Sequence, residues 1–253
     1  MKRIVFSFAA SCAIITCAGQ KYSSQAVFAH NDYVSANPFH TAYDLQVGYI
    51  EADVFLHGND LAVAHEKHEI AAGRNLEKLY LQPLLKNLRK HGGSVYEDSS
   101  ANLTLMIDLK TEGVPTLDVI VNLLEKYPEL ISCKSLHFMI SGNVPEPVLW
   151  RKYPEFISFD GRPGIDYTPE QLSRIRMIST SFRNISEWDG HGAIPLEDQQ
   201  EMRVLVEEAH SKEKKFRFWA TPDHPNAWKE LMRLNMDVIL TDNVARLAEF
   251  LEL

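Results

Sequence analysis

Three acidic residues lie at or near the ends of apolar runs, where they could share one cation. Glu51 and Asp53 are separated by one residue, so a β-strand through them points both side chains to the same face. Asp108 ends a second mainly apolar run. Converging carboxylates repel one another, and a hard divalent cation takes oxygen ligands of this kind. We expect Glu51, Asp53 and Asp108 to bind one Mg²⁺ or Ca²⁺ ion, the alternative for each residue alone being a helix cap or a solvated turn.

Two histidines follow apolar runs of the same kind. His30 comes directly after residues 27–29, and His65 directly after residues 61–64. A lone histidine in such a position is more often structural, but two beside a carboxylate group suit a phosphoryl reaction. One imidazole would take the proton from the attacking oxygen, and the other would give a proton to the leaving group. Lys110, two residues after Asp108, would neutralise a nonbridging phosphate oxygen.

These residues require a scaffold in which strand ends meet. From residue 26 onward, short apolar runs rich in β-formers alternate with longer amphipathic runs, which is the pattern of repeated βα units around a parallel sheet. We therefore predict an α/β fold, a TIM (β/α)₈ barrel that forms a single domain over residues 26–253. The eight predicted strands are 27–31, 49–55, 103–109, 136–141, 156–160, 177–182, 216–220 and 237–241.

One segment departs from the regular alternation of strands and helices. Residues 61–65 alternate like a strand, and they follow the turn signal His57-Gly58-Asn59-Asp60. We predict a small hairpin inserted after the second strand and folded back over the mouth of the barrel. Active sites of such barrels lie at the carboxyl ends of the strands, so this hairpin would bring His65 to the catalytic end.

Composition excludes several classes of function. The chain has 253 residues, 45% of them hydrophobic, and a formal net charge of -8, which argues against a nucleic-acid partner because phosphate backbones demand a basic surface. An acidic chain can still bind a phosphate compound if a divalent cation reverses the local sign. No Gly-x-Ser-x-Gly elbow, Walker loop, Gly-x-Gly-x-x-Gly turn or Cys-x-x-Cys pair is present, which removes support for serine hydrolases, nucleotide-phosphate loops and zinc ribbons.

The first residues are typical of an export signal. Met1-Lys2-Arg3 is followed by the apolar run 4–18 and by polar residues, so we expect residues 1–19 to be a signal peptide or a lipoprotein leader and the protein to be exported. Its location would be periplasmic, outer-membrane-anchored or secreted, and whether Cys17 carries a lipid stays open. Cys133 would then be the one cysteine of the mature chain, a small buried hydrophobe rather than a nucleophile.

The motifs together resemble those of the PI-PLC-like phosphodiesterase superfamily, which contains glycerophosphodiester phosphodiesterases, sphingomyelinase D-type enzymes and bacterial phosphatidylinositol phospholipases C. The resemblance implies that His30 and His65 are the catalytic histidines, that Glu51, Asp53 and Asp108 hold the metal, and that Lys110 faces the phosphate. It also implies an aromatic pocket wall at Trp219, and we expect Asn31 and Asp242 to contact substrate as well. The motifs are Ala29-His30-Asn31-Asp32, Ile50-Glu51-Ala52-Asp53-Val54, Leu61-Ala62-Val63-Ala64-His65-Glu66, Leu105-Met106-Ile107-Asp108-Leu109-Lys110, Phe218-Trp219-Ala220-Thr221 and Asp237-Val238-Ile239-Leu240-Thr241-Asp242-Asn243.

Two features depart from typical glycerophosphodiester phosphodiesterases. Those enzymes resemble this chain at the first histidine but have Arg directly after it, where this chain has Asn31. They have Glu-x-Lys on the third strand, where this chain has Asp108-x-Lys110, which looks more like sphingomyelinase D. The combination of His30-Asn31-Asp32-Tyr33 with Leu79-Tyr80-Leu81-Gln82-Pro83-Leu84 most resembles the altered-inheritance-of-mitochondria-type branch and its bacterial relatives, so a substrate cannot be carried over.

The function expected from these residues is that of a metal-dependent phosphoric diester hydrolase, or a lyase that forms a cyclic phosphate. Its partner would be a small-molecule glycerophosphodiester or a phospholipid headgroup, with membrane contact only through a lipid anchor or a lipid substrate. A non-catalytic protein that binds a phosphorylated ligand is the alternative, although binding alone needs no proton shuttle. A Schiff-base lyase using Lys110 is disfavoured, because nearby carboxylates keep an amine protonated. The oligomeric state stays open.

Overall fold

The computed structural model describes residues 22–253, so the leader predicted at residues 1–19 lies outside the described residues. Within residues 22–253 the chain forms nine strands, and eight of them are parallel to their neighbours in the sheet. The strands are β1 (Val27–Ala29), β2 (Tyr49–His57), β3 (Asp60–Val63), β4 (Leu103–Leu109), β5 (Leu136–Gly142), β6 (Ile157–Gly161), β7 (Ile175–Ser181), β8 (Lys215–Trp219) and β9 (Ile239–Thr241).

The sheet curls into a nearly closed barrel. Its strand order is β8-β7-β6-β5-β4-β2-β1-β9, and the two end strands, β8 and β9, lie next to each other without a backbone ladder between them in the described part of the chain. β3 pairs only with β2, in antiparallel register with residues 54–57. The predicted TIM barrel and the hairpin after the second strand are therefore confirmed.

At the majority of strand ends, the observed boundary differs from the predicted one by one or two residues. The largest difference with a functional consequence is at β1, which ends at Ala29 and not at residue 31. Asn31 has a φ of 49°, in the left-handed region, so the chain turns sharply there and cannot continue as a strand. His30 consequently stands on a turn above the barrel and not on a strand.

Helices cover the outside of the sheet and bury their apolar sides against it. The longer ones are amphipathic or apolar, and none among residues 22–253 combines the length and apolar character that crossing a bilayer requires. They are α1 (His40–Asp44), α2 (Gln82–Lys90, preceded by a π-helical turn at Glu77–Leu81), α3 (Gly113–Leu124), α4 (Pro128–Ser132), α5 (Pro169–Arg174), α6 (Leu196–Ser211), α7 (Pro225–Arg233) and α8 (Val244–Phe250).

The interior of the barrel holds a separate apolar cluster below the mouth. Met106 precedes Asp108 by two residues and Tyr49 precedes Glu51 by two, so these apolar side chains share strand faces with the acidic ones. This cluster closes the barrel under the polar residues, while a larger core fills the space between sheet and helices. Its members are Phe28, Tyr49, Met106, Met139, Met177, Val238 and Leu240.

Candidate active site at the carboxyl ends of the strands

The three predicted metal ligands lie at the mouth of the barrel, and two of them are direct neighbours. Asp53 on β2 and Asp108 on β4 are partners in the strand register, which places them side by side on the inward face. Lys110, just after β4, lies between them: its Nζ is 2.9 Å from Asp53 Oδ2 and 3.0 Å from Asp108 Oδ1. The lysine is therefore paired with two carboxylates in this arrangement, instead of being free for a phosphate oxygen.

Burial and mutual repulsion change how this acidic group titrates. Burial raises the pKa of Glu51 to about 7, helped by the charges of Asp53 and Asp108 and opposed by His30 and Arg217. Burial also raises the pKa of Asp53, although Lys110 opposes this. Burial lowers the pKa of Lys110, but the two carboxylates more than offset this, so the net direction is upward. Lys110 stays protonated, which disfavours the Schiff-base alternative.

His30 is held by a carboxylate on each side of its ring. Its Nδ1 lies 2.6 Å from Asp242 Oδ1, and its Nε2 lies 3.5 Å from Glu51 Oε2. Burial lowers the pKa of His30, but the hydrogen bond to Asp242 and the charge of Glu51 outweigh burial, so the net pKa is raised. Asp242, expected from the sequence to contact substrate, is found on the imidazole itself, where it fixes the ring orientation.

The turn after β1 builds the contacts around both histidines. The backbone N–H of Asn31 donates to Glu51 Oε2 at 3.3 Å, and its side-chain amide lies 3.3 Å from Asp242 Oδ1. The buried Tyr33 hydroxyl lies 2.7 Å from both Asp53 Oδ2 and Asn31 Oδ1. Asp32 anchors the turn, since it accepts hydrogen bonds from the Phe39 backbone N–H and the Tyr80 hydroxyl.

His65 reaches the same group from the hairpin. It follows β3, and its Nδ1 lies 3.2 Å from the Tyr33 hydroxyl and 3.5 Å from Asp53 Oδ2. Half of the His65 side chain is exposed, in contrast to the mostly buried His30. The hairpin thus brings the second histidine to the rim of the mouth, and Tyr33 links it to the acidic group.

A cavity of about 270 Å³ opens at this end of the barrel. Five of the residues singled out from the sequence line it, whereas Asp53, His65, Asn31 and Asp242 adjoin them through the contacts described above. Those five are His30, Glu51, Asp108, Lys110 and Trp219. Trp219 ends β8 and is 40% exposed, which makes it an aromatic wall at the cavity entrance.

Part of the cavity wall is formed by residues that the sequence analysis did not single out: Ser141, Gly142, Arg162 and Arg217. The sequence contains a signal for two of them, Arg162 and Arg217. Arg217 interrupts the apolar run Phe216-Arg217-Phe218 two residues before Trp219, and Arg162 directly follows the end of β6. The rule that selected His30 and Asp108, polar residues at strand ends, applies to Arg162, whereas the signal for Arg217 is a charge within an apolar strand.

The donor types fit a hard divalent cation, since all three predicted ligands are carboxylates and burial raises the pKa of two of them. The distances between these side chains fit a metal ion less well than their chemistry does. Within residues 22–253 no group of three or more His, Cys, Asp or Glu side chains is gathered closely enough to hold a metal ion. Asp53 and Asp108 share the Lys110 ammonium, so Lys110 must release at least one of them before both can act as ligands.

Comparisons with known proteins support a phosphodiesterase-like TIM barrel. Residues 20–130 match the model of the AIM6-like phosphodiesterase domain, and residues 215–245 match that of the glycerophosphoryl diester phosphodiesterase family. A crystal structure of a glycerophosphodiester phosphodiesterase from Parabacteroides distasonis superposes with a TM-score of 0.57 over 91% of this chain and 98% of that one, at 16% identity. That likeness shows the fold.

Sequence relatives identify the branch. The altered inheritance of mitochondria protein 6 homolog of Arthroderma benhamiae is 26% identical over 257 residues, covering 86% of this chain and 81% of that protein. Altered inheritance of mitochondria protein 6 of Kluyveromyces lactis is 34% identical over 142 residues, covering 46% of this chain and 32% of that protein. These matches support the glycerophosphodiester phosphodiesterase and PI-PLC-like superfamily and, within it, the branch of altered inheritance of mitochondria protein 6.

Proposed function

We propose that this protein is a divalent-metal-dependent phosphoric diester hydrolase that acts on a glycerophosphodiester or a phospholipid headgroup. The observation that carries the proposal is the pair of histidines at one charged cavity, each held through Nδ1 by a hydrogen-bonding partner. His30 is held by Asp242 and His65 by Tyr33. Holding Nδ1 leaves Nε2 of each ring for a proton transfer, which a protein that only binds its ligand does not need.

His30 is the proposed proton acceptor. With its Nδ1–H donated to Asp242, the ring presents Nε2 to the cavity and takes the proton of the attacking oxygen, from water or from a hydroxyl of the substrate. The imidazolium formed in this step is stabilised by Asp242 and by Glu51. The same arrangement supports histidine bases in acyl transfer, where a carboxylate fixes the tautomer and stabilises the charged ring.

His65 is the proposed proton donor. Its Nδ1–H can donate to the Tyr33 oxygen while the Tyr33 hydroxyl donates to Asp53, which leaves the other ring nitrogen to protonate the leaving oxygen. The hairpin position at the rim suits this role, because a leaving alcohol departs toward solvent. If a substrate hydroxyl attacks first, the product is a cyclic phosphate; if water attacks, it is a phosphomonoester.

Glu51, Asp53 and Asp108 are the proposed ligands of one Mg²⁺ or Ca²⁺ ion. Such an ion supplies positive charge for the nonbridging phosphate oxygens. The ion would take one of the two carboxylates that now pair with Lys110. The Lys110 ammonium would then be available to an anion in the cavity. We also propose that the chain is exported, on the basis of residues 1–19, and loss of at least the first sixteen residues from the mature protein is the result that supports it.

A panel of phosphodiesters tests the function: glycerophosphocholine, glycerophosphoinositol, a lysophospholipid and bis-nitrophenyl phosphate, each with EDTA or with added Mg²⁺ or Ca²⁺. We expect turnover that EDTA abolishes and that falls about a hundredfold or more in His30→Ala and His65→Ala, the scale of general acid-base catalysis. His57→Ala, at the exposed end of β2, is the control and should match the parent. Parent-like turnover in either active-site variant contradicts the mechanism, and ligand binding without any turnover favours a binding protein. ³¹P NMR of the product distinguishes a cyclic phosphate from a monoester.

A further inference from the structure

Two arginines share one buried carboxylate on the wall of the active-site cavity. Asp160, on β6, is buried, and its Oδ2 lies 2.8 Å from Arg162 Nη1 and 3.4 Å from Arg217 Nη2. The same oxygen accepts hydrogen bonds from the hydroxyls of Ser141 and Ser179, at 3.0 and 2.7 Å. Asp160 Oδ2 is therefore well supplied with donors before Arg217 is counted, and Arg217 forms the longest of these four contacts, whereas Asp160 Oδ1 has no hydrogen-bond partner in the described residues.

The charges of this cluster do not cancel. Among residues 22–253, Asp160 is the one carboxylate that pairs with either arginine, so two guanidinium groups and one carboxylate leave one excess positive charge. Both arginines line the cavity. A phosphodiester at neutral pH carries one negative charge, which matches the excess.

Arg217 is buried and only partly hydrogen-bonded: its Nη2 lies 3.4 Å from Asp160 Oδ2 and 3.7 Å from Met106 Sδ. Its side chain is 3% exposed, and its Nε has no hydrogen-bond partner in the described residues. The guanidinium is stacked over the Phe28 ring, with Cζ 4.3 Å from the ring centroid, which fixes its plane. A buried charge with unpaired donors is costly unless a ligand completes it, and a guanidinium presents a planar fork that fits phosphate oxygens.

Other candidates for binding the phosphate are less available. Asn31, on the turn after β1, carries an amide and no charge. Lys110 is shared between Asp53 and Asp108, so its charge is compensated until a metal ion takes one of these carboxylates. Arg217, in contrast, lines the same cavity as His30 and Glu51 and so lies beside the reacting groups.

We propose that Arg217 binds the anionic phosphate of the substrate, that Asp160 positions its guanidinium, and that Arg162 extends the same anion-binding wall toward the cavity entrance. This subsite rests on the proposed function, because it assigns the phosphate-binding residue of the same cavity. It takes a phosphate anion, as a diester or as the monoester product. Arg217 thereby supplies from β8 the guanidinium that the turn after β1 does not.

The test is binding of unreactive probes to the full-length chain, so that it does not require turnover. Isothermal titration with diethyl phosphate and with glycerol 3-phosphate compares the parent with Arg217→Met, which keeps an apolar contact to Phe28, and with Arg217→Lys, which keeps the charge without the fork. Arg176→Met is the matched control: this half-buried arginine lies at the opposite end of the barrel, where its Nε donates to Thr104 Oγ1 at 3.1 Å.

We expect at least a tenfold loss of affinity for both probes in Arg217→Met, a smaller loss in Arg217→Lys and none in Arg176→Met. The melting temperature of Arg217→Met should match or exceed that of the parent, since replacing an incompletely paired buried charge by an apolar side chain is often stabilising. Parent-like affinity in Arg217→Met, or in Arg217→Lys if the first variant does not fold, overturns the proposal, and so does absence of binding by the parent. Arg217-dependent binding without turnover of any phosphodiester would leave the subsite standing and remove the proposed function. If the protein turns over phosphodiesters and Arg217→Met leaves the KM unchanged, the proposed function would stand and the subsite would be ruled out.

Discussion

The hydrogen bond between His30 and Asp242 is the contact whose removal most directly examines the proposed proton acceptor. Asp242→Asn keeps the size of the side chain and removes its charge. The bond is 2.6 Å long, and the Asp242 side chain is 58% exposed. A hydrogen bond to a charged group contributes about 1.5–3 kcal/mol, and solvent screening of this exposed pair places it just below that range, at about 1.4 kcal/mol. Losing that stabilisation of the imidazolium lowers kcat about tenfold.

The sign of the accompanying pKa change follows from the charges. Asp242 raises the pKa of His30, so its neutralisation lowers that pKa, and the acid limb of the kcat/KM profile moves to lower pH. The His30 ring-proton signal in an NMR titration of the EDTA-treated protein reports the same shift without any substrate. Asp189→Asn, which removes an exposed carboxylate near His191, is the control. A His30 pKa that does not change in Asp242→Asn would refute the role assigned to the pair.

Three further predictions concern the surrounding contacts. Tyr33→Phe removes the hydroxyl that joins His65 to the acidic group, and we expect about a tenfold lower kcat with little change in KM, since about 1.4 kcal/mol of orientation is lost; equal kcat contradicts this. Added Mg²⁺ or Ca²⁺ should raise the melting temperature of the parent, and less so in Asp108→Asn; equal ion affinity by isothermal titration would show that Asp108 is not a ligand. Burial lowers the pKa of His137 from 6.5 to about 4, so stability is lost as the pH falls through that window, by about 1–2 kcal/mol after allowance for partial exposure. Urea unfolding between pH 7 and pH 4 should show this loss in the parent and in an exposed-site control, His57→Gln, but not in His137→Gln.

The acidic part of the site could be predicted from the sequence because strand geometry alone decides it. Side chains alternate across a strand, so Glu51 and Asp53 had to share a face, and parallel strands bring Asp108 beside them. The barrel itself followed from the alternation of short apolar and longer amphipathic runs. These inferences depend on the spacing of apolar and polar residues along the chain, and a single sequence is enough to show that spacing.

Pairing within the site could not be predicted in the same way. Whether Lys110 faces a phosphate or two carboxylates depends on distances between strands, and these are set by packing across the barrel. The contact of Asp242 with His30 joins residues 212 apart in the chain. Arg217 was readable as a charge inside an apolar strand, but its partner Asp160 lies on another strand, β6, and its stacking on Phe28 depends on the barrel closing.

Asn31 explains why the positive charge should come from across the barrel. Its left-handed backbone, with φ of 49°, is a conformation that Asn tolerates better than most residues. In that conformation its N–H reaches Glu51 and its side chain contacts both Tyr33 and Asp242, so the turn serves to hold the proton-transfer groups. A long cationic side chain at this position would give up the contact with Tyr33. The two sides of the mouth therefore differ: the turn after β1, the hairpin of β2 and β3, β4 and the end of β9 carry the site carboxylates and imidazoles, while β8 and the end of β6 carry the two guanidinium groups. A phosphodiester bound between these halves would have its charge neutralised on one side and its proton transfers made on the other.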